Sequence, residues 1–161
     1  MQGTIDFSDN IKAARKYVNE KGHPLNTLTE ENAKIWDLCQ ALINNLCSEN
    51  KDIVAARKVV EKLVMIEKHY KIKKEAIYIP LKEKYGVFGP NDYMGVDDTE
   101  VVEMYKDLLE EDKDDVKWMG KALIFSDRVL KVVNKEKNIL FSAVARNFTE
   151  EDYAVLREML I

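Results

Sequence analysis

Glycine and proline are scarce in this chain, 6 and 3 of its 161 residues. Folds built of short strands need such residues at corners roughly 8–12 residues apart, so the shortage argues against a β-sandwich, barrel or propeller. Cysteine numbers two, Cys39 and Cys47. They lie about two turns apart on one predicted helix, too far to bridge each other. A disulfide framework is therefore excluded, and a reducing, cytoplasmic setting is the expectation. No apolar run reaches the roughly 18 uncharged residues of a membrane span, so no membrane partner is expected. Asp6, Asp9 and Lys12 interrupt the first turns of the chain, which argues against a signal peptide. There is no excess of positive charge. The 25 basic and 29 acidic residues are interspersed and leave a net charge of −4, whereas a nucleic-acid binder shows a basic face or a pI above about 9. Nucleic acid is not expected as a partner. A phosphate-cradling glycine loop, a Cys–His spacing and a nucleophile motif are all missing, so the chain does not read as an enzyme.

What is present suits one helical domain over residues 1–161. A 46% hydrophobic content allows one sizeable core, and 34% charged residues give it a solvated surface. Apolar residues recur with helical period between a few polar breaks. A short first helix covers about Asp9 to Lys21 and stops at Gly22. The second is expected to open on a capping box, Thr27-x-x-Glu30, with Leu28, Ile35, Cys39, Leu42 and Leu46 on one stripe. The third reads as one long helix from about Lys51 to Tyr85, which Pro80 should kink or end. It carries two stripes. Val59, Leu63, Ile66, Tyr70, Ile77 and Leu81 form the first, and Met65, His69, Ile72, Ala76 and Ile79 the second, so burial on two sides is expected. The fourth helix is expected to start at an Asp97-x-x-Glu100 box. A polar break from Glu110 to Asp115 leads to the fifth, whose seam reads Val129, Val133, Glu136, Leu140 and Ala143. Thr149-x-x-Asp152 opens a short last helix. The fold class that follows is all-α, an up-down-up-down four-helix bundle with short extra helices at the N- and C-termini.

Function in such a bundle sits among inward-pointing side chains, so polar residues that interrupt the seams are the candidates. Glu31 and Asn32 fall on the apolar side of the second helix, His69 in a stripe of the third, Asp97 and Asp98 in the first turn of the fourth, and Glu136 in the seam of the fifth. Counting along the rods at about 1.5 Å per residue brings Glu31 and His69 to one height and leaves Glu136 a turn or two above it. Carboxylates with imidazole suit iron, zinc or manganese. Each residue also has a plainer role: Glu31 as a first-turn acid, Asp97 as an N-cap, His69 as a hydrogen-bonded core-edge histidine. A carboxylate in a seam, as Glu136 is, needs a partner or a raised pKa. Cys39 and Cys47 read as small hydrophobes, and Trp36 and Trp118 as core or interface aromatics.

These stretches together resemble the hemerythrin-like HHE cation-binding bundles, in particular the subgroup found ahead of PAS sensor domains. Gly22-His23-Pro24-Leu25 with Glu31-Asn32 is similar to that subgroup's opening. His69-Tyr70 followed by Lys74-Glu75-Ala76-Ile77-Tyr78-Ile79-Pro80 is similar to its middle motif, as is Leu81-Lys82-Glu83-Lys84-Tyr85-Gly86. Gly89-Pro90 with Met94-Gly95-Val96-Asp97-Asp98, Lys135 to Phe141, and Thr149 to Tyr153 extend the likeness over about residues 22–160. The resemblance implies an oxo-bridged pair of irons held mostly by histidines, and a role in sensing oxygen, nitric oxide or redox state.

The chain departs from that pattern at the ligands. It has two histidines in all. Asn26 stands where the opening motif has a second His, Asp97 where another is expected, and Val132 where the fifth helix should offer one. Lys73 stands at the usual place of a bridging Glu, where it favours a salt bridge over a metal. The expectation is therefore a degenerate bundle, a non-catalytic binding or regulatory module of the sensor type, without a cofactor. One alternative is an iron-binding sensor with a reduced ligand set drawn from Glu31, His69, Asp97, Asp98, Glu136 and His23. The other is a plain interaction bundle whose second stripe packs a homodimer partner or another protein domain.

Overall fold

The computed structural model describes residues 7–110 and 114–161, with side chains from Lys12 onward. Asp6 and part of the polar break between Glu110 and Asp115 lie outside the described residues. The fold is all-α, a core of four longer helical rods flanked by two short helices. The short helix α1 spans Phe7–Asn19. The first rod is α2, Pro24–Leu46. The second is a series: α3 Ile53–Lys62, α4 Met65–Lys73, a π turn Lys74–Tyr78 and α5 Ile79–Tyr85. The third is a π turn Pro90–Met94 running into α6, Gly95–Leu109. The fourth is α7 Asp115–Lys135, a π turn Glu136–Leu140 and α8 Phe141–Asn147. The short α9, Glu150–Met159, follows.

Side-chain pairs show which ends meet. Asn45, near the end of α2, exchanges hydrogen bonds with the backbone of Asp52, just before α3, so these rods form a hairpin. Lys121 meets Asp107 at 3.0 Å, Arg128 meets Glu100 at 2.6 Å and Lys135 meets Asp97 at 2.7 Å. The rising numbers on α7 against falling ones on α6 make that pair antiparallel. Arg57, early in α3, reaches Asp115 at the start of α7 at 3.4 Å, so these two ends share one end of the bundle.

Two apolar clusters fill the interior. The lower gathers Ile35, Leu42, Val60, Ile66, Val101 and Phe125 around Trp118, whose Nε1–H donates to the Leu108 carbonyl at 3.1 Å. The upper gathers Leu28, Ile72, Ile77, Leu81, Phe141 and Leu156. Ile72 and Ala76, from the second stripe of the third predicted helix, are buried in this upper cluster by the chain itself. Burying such side chains stabilises by about 1.5–3 kcal/mol each before chain entropy is counted. Among the described residues, no helix is long and apolar enough to cross a membrane.

Several boundaries differ from the sequence expectation. α2 starts three residues before Thr27. His23 is its N-cap, accepting through Nδ1 from the Leu25 N–H at 3.1 Å, and Pro24 takes the first turn, where its missing N–H costs nothing. The long third helix is interrupted at Leu63–Val64 and again by the π turn, and Pro80 falls in the first turn of α5. α6 grows directly out of a π turn, so Asp97 is an interior residue of its first turn and caps nothing. The box at Thr149 and Asp152 does close as expected, with both reciprocal hydrogen bonds present. Lys84 and Tyr85 also donate to Asp152, whose carboxyl is held down at about 2. Burial opposes that shift and these hydrogen bonds outweigh it.

Candidate functional site

On each of the four rods the sequence passes from one apolar cluster to the other across a polar residue. Glu31 and Asn32 stand between Leu28 and Ile35. His69 and Lys73 stand among Ile66, Ile72 and Ala76, Asp98 between Met94 and Val101, and Glu136 between Val132 and Leu140. The result is one charged layer between two apolar ones. His69, Lys73 and Glu136 are fully buried in it.

The layer is a connected chain of ion pairs. The Glu31 carboxylate accepts from His69 Nδ1 in a close contact, and His69 Nε2 donates to Glu136 Oε1 at 2.8 Å. The other Glu136 oxygen lies 3.5 Å from the Lys73 ammonium, which in turn lies 2.9 Å from Asp98 Oδ2. Both Lys73 contacts are charge pairs, and neither is a directed hydrogen bond. The Tyr78 hydroxyl donates to the same Asp98 oxygen at 2.7 Å. The Asn32 side chain adds a smaller pull that helps hold the Glu136 carboxyl down. The Lys73 ammonium also rests 4.3 Å from the centre of the Tyr70 ring and 5.6 Å from that of Tyr78, where the negative ring faces attract it.

These contacts set the protonation states. Burial alone would lower the His69 pKa, but the charge of Glu136 and hydrogen bonds to Glu136 and Glu31 overcome it and push it up to about 9. The ring is an imidazolium at neutral pH, donating from both nitrogens. Burial likewise works to raise the Glu136 carboxyl, and the neighbouring Lys73 and His69 cations outweigh it, holding the group below its ordinary value. At Asp98 the balance goes the other way, with burial winning over Lys73 and its pKa raised. Burial raises Tyr70 and Tyr78 as well, so both stay neutral.

Of the candidate ligands, Glu31, His69, Asp98 and Glu136 converge. Asp97 does not; it pairs at the surface with Lys135. His23 does not either. It caps α2, stacks on Tyr17 at 4.4 Å and meets the Tyr153 ring edge-on at 4.6 Å, and burial lowers its pKa. Glu136 was expected one or two turns too high. Helical side chains lean toward the N-terminus of their helix, and on α7 that direction leads back down to His69. The centre of the network is Lys73, which sequence reading placed among the departures. Tyr78 was missed because it lies five residues from Lys73. An i, i+5 pair shares a face only where the helix widens to π geometry, as it does between Lys74 and Tyr78.

The network also tests the metal that the family resemblance implies. An iron pair needs neutral imidazole and free carboxylate lone pairs. Here each imidazole nitrogen faces a carboxylate oxygen, an arrangement that favours the protonated ring, and an ammonium stands between two of the carboxylates. The donor set does not fit such a centre. Among the described residues no group of three or more His, Cys, Asp or Glu side chains is arranged to hold a metal ion.

Compared with family models, curated proteins and solved structures, the chain matches none. Fold and site thus define an all-helical domain with a core of four longer rods and a buried network of ion pairs, and with no assembled metal cluster among the described residues.

Proposed function

We propose that this chain is a degenerate hemerythrin-like bundle, up-down-up-down in topology, that acts as a non-catalytic binding or regulatory module of the sensor type in a reducing, cytoplasmic setting. The observation that carries the reading is the Lys73 ammonium lodged between Asp98 and Glu136. It supplies, from within the chain, positive charge where the family places metal. The other substituted ligand positions have structural employment. Val132 is buried in the apolar core, Asn26 donates to the Val18 carbonyl at 2.8 Å, and Asp97 holds Lys135. A metal arriving at this layer would have to expel one buried cation and strip a proton from another.

The test is protein purified from iron- and manganese-supplemented medium. The expected outcome is no stoichiometric metal, no near-ultraviolet charge-transfer band and a melting temperature indifferent to chelator. Stoichiometric iron that disappears in His69→Ala would overturn the reading in favour of a metal-binding sensor.

A further inference from the structure

The buried charges alternate along one line: Glu31 carboxylate, His69 imidazolium, Glu136 carboxylate, Lys73 ammonium, Asp98 carboxylate. Both ends are negative, and they end differently. The Glu31 side chain is 28% exposed, so solvent screens it. The Asp98 side chain is only 7% exposed. Its Oδ2 is taken by Lys73 and Tyr78, while its Oδ1 is buried with no donor. Leaving a buried charged acceptor unpaired is costly.

Asp98 lies in the wall of a groove of about 940 Å³ between α4 with its π turn and α6. Tyr70 and Tyr78 line the same groove, and the buried Tyr70 hydroxyl also has no partner. On the rim stand Glu67, Glu75 and Glu103 together with Lys71, Lys74 and Lys106. The groove is large enough for a small organic molecule.

We propose that this groove binds a small organic ammonium ion, a primary amine or short diamine, its charged nitrogen meeting Asp98 Oδ1 once the side chains that cover that atom turn aside, and its stem lying along the groove beside the tyrosine rings. A cation is the next member of the alternating series. The tyrosine rings that line the groove already hold one ammonium, that of Lys73, which shows that this chemistry suits them. Glu136, on the far side of Lys73, shares the lysine's charge and so moderates repulsion between the two ammonium groups. An anion would meet Asp98 head-on. A hard metal ion needs six or so oxygens, and the other carboxylates here, those of Glu67, Glu75, Glu100 and Glu103, share the groove lining with the Lys71, Lys74 and Lys106 cations. The proposal deepens the metal-free binding module and rests on that reading.

Calorimetric titration of the folded protein with 1,4-diaminobutane at low salt tests it, with 1,4-butanediol as the neutral control. One diamine per chain should bind saturably and the diol should not. Asp98→Asn should weaken binding at least tenfold. Val102→Trp, on the groove wall and outside the charged layer, should do the same by filling the groove, and serves where Asp98→Asn does not fold. No saturable diamine binding, equal uptake of the diol, or unchanged affinity in Asp98→Asn or in folded Val102→Trp would overturn the proposal. Failure to bind diamine by metal-free protein ends this inference alone, whereas stoichiometric iron ends the reading beneath it.

Discussion

Around Trp118 and Phe125 the rods are ordinary α-helix apart from a single break at Leu63–Val64, and their contacts are apolar or aromatic. Around Ile77, Met94 and Leu140, on the other side of the charged layer, three of the four rods carry a π turn. The turn after Lys73 swings Tyr78 onto the lysine's face, the turn before α6 leads into Asp98, and the third begins at Glu136 itself. An apolar core needs only matching volume, and regular helices deliver it with many interchangeable side chains. A charged layer needs named atoms at hydrogen-bond distance, which regular spacing rarely provides. A π turn re-aims the side chains that follow it, and such turns gather at places of this kind.

The comparison breaks most sharply at Glu136. Glu136→Leu leaves the His69 and Lys73 cations without their shared partner, and about 3–5 kcal/mol of stability should be lost. Adding Lys73→Met should return part of that. Leu42→Ala, in the lower half, should cost about 2–5 kcal/mol by leaving a cavity, with no rescue from any change at Lys73. Urea denaturation of the four proteins decides the matter. A Glu136→Leu loss below about 1 kcal/mol would mean that the layer does not hold the halves together.

A second difference is in pH. The folded-state pKa of His69 lies above its ordinary 6.5, at about 9. Its share of stability is therefore complete below about pH 6.5 and is lost as pH rises through 9. Glu136 is shifted downward from 4.5, so its share is complete above that value and is lost as pH falls through its lower folded value. Melting temperature against pH should show a plateau between these limits with a fall on either side. Leu42→Ala should lower the whole curve and keep its shape; a curve reshaped by that change would tie the two halves more closely than their chemistry suggests.

The smallest effect belongs to Asp97, a neighbour of Asp98 in sequence. Its ion pair with Lys135 is 36% and 45% exposed on the two sides, so Asp97→Ala should cost less than about 1 kcal/mol. A larger thermal shift would extend the charged layer to the surface.

Helix existence and the apolar faces were legible because a helix that buries one side must repeat its hydrophobic residues with the helical period. The layer was half legible. Glu31, His69, Asp98 and Glu136 stand out because a charged residue in a seam is conspicuous, and the shared height of Glu31 and His69 follows from counting rise per residue. Asp97 and His23 looked equally eligible. Only the direction of each side chain separates them, and a rotation of one residue turns a helical position by about 100°. The helix starts at Thr27 and Asp97 were misplaced because a better cap at His23 and a preceding π turn extend those helices upstream.

By itself, the order of amino acids determined that this chain would be helical, how many long rods it would have and that an imidazole-rich metal cage was beyond its means, since periodicity and residue counts are properties of the string. Only the tertiary structure decided that Lys73 would become the hub of the buried charges and that one Asp98 oxygen would be buried without a donor. Those outcomes depend on where π turns fall and which rods touch, and a buried charge is stabilised or stranded by neighbours far away along the chain.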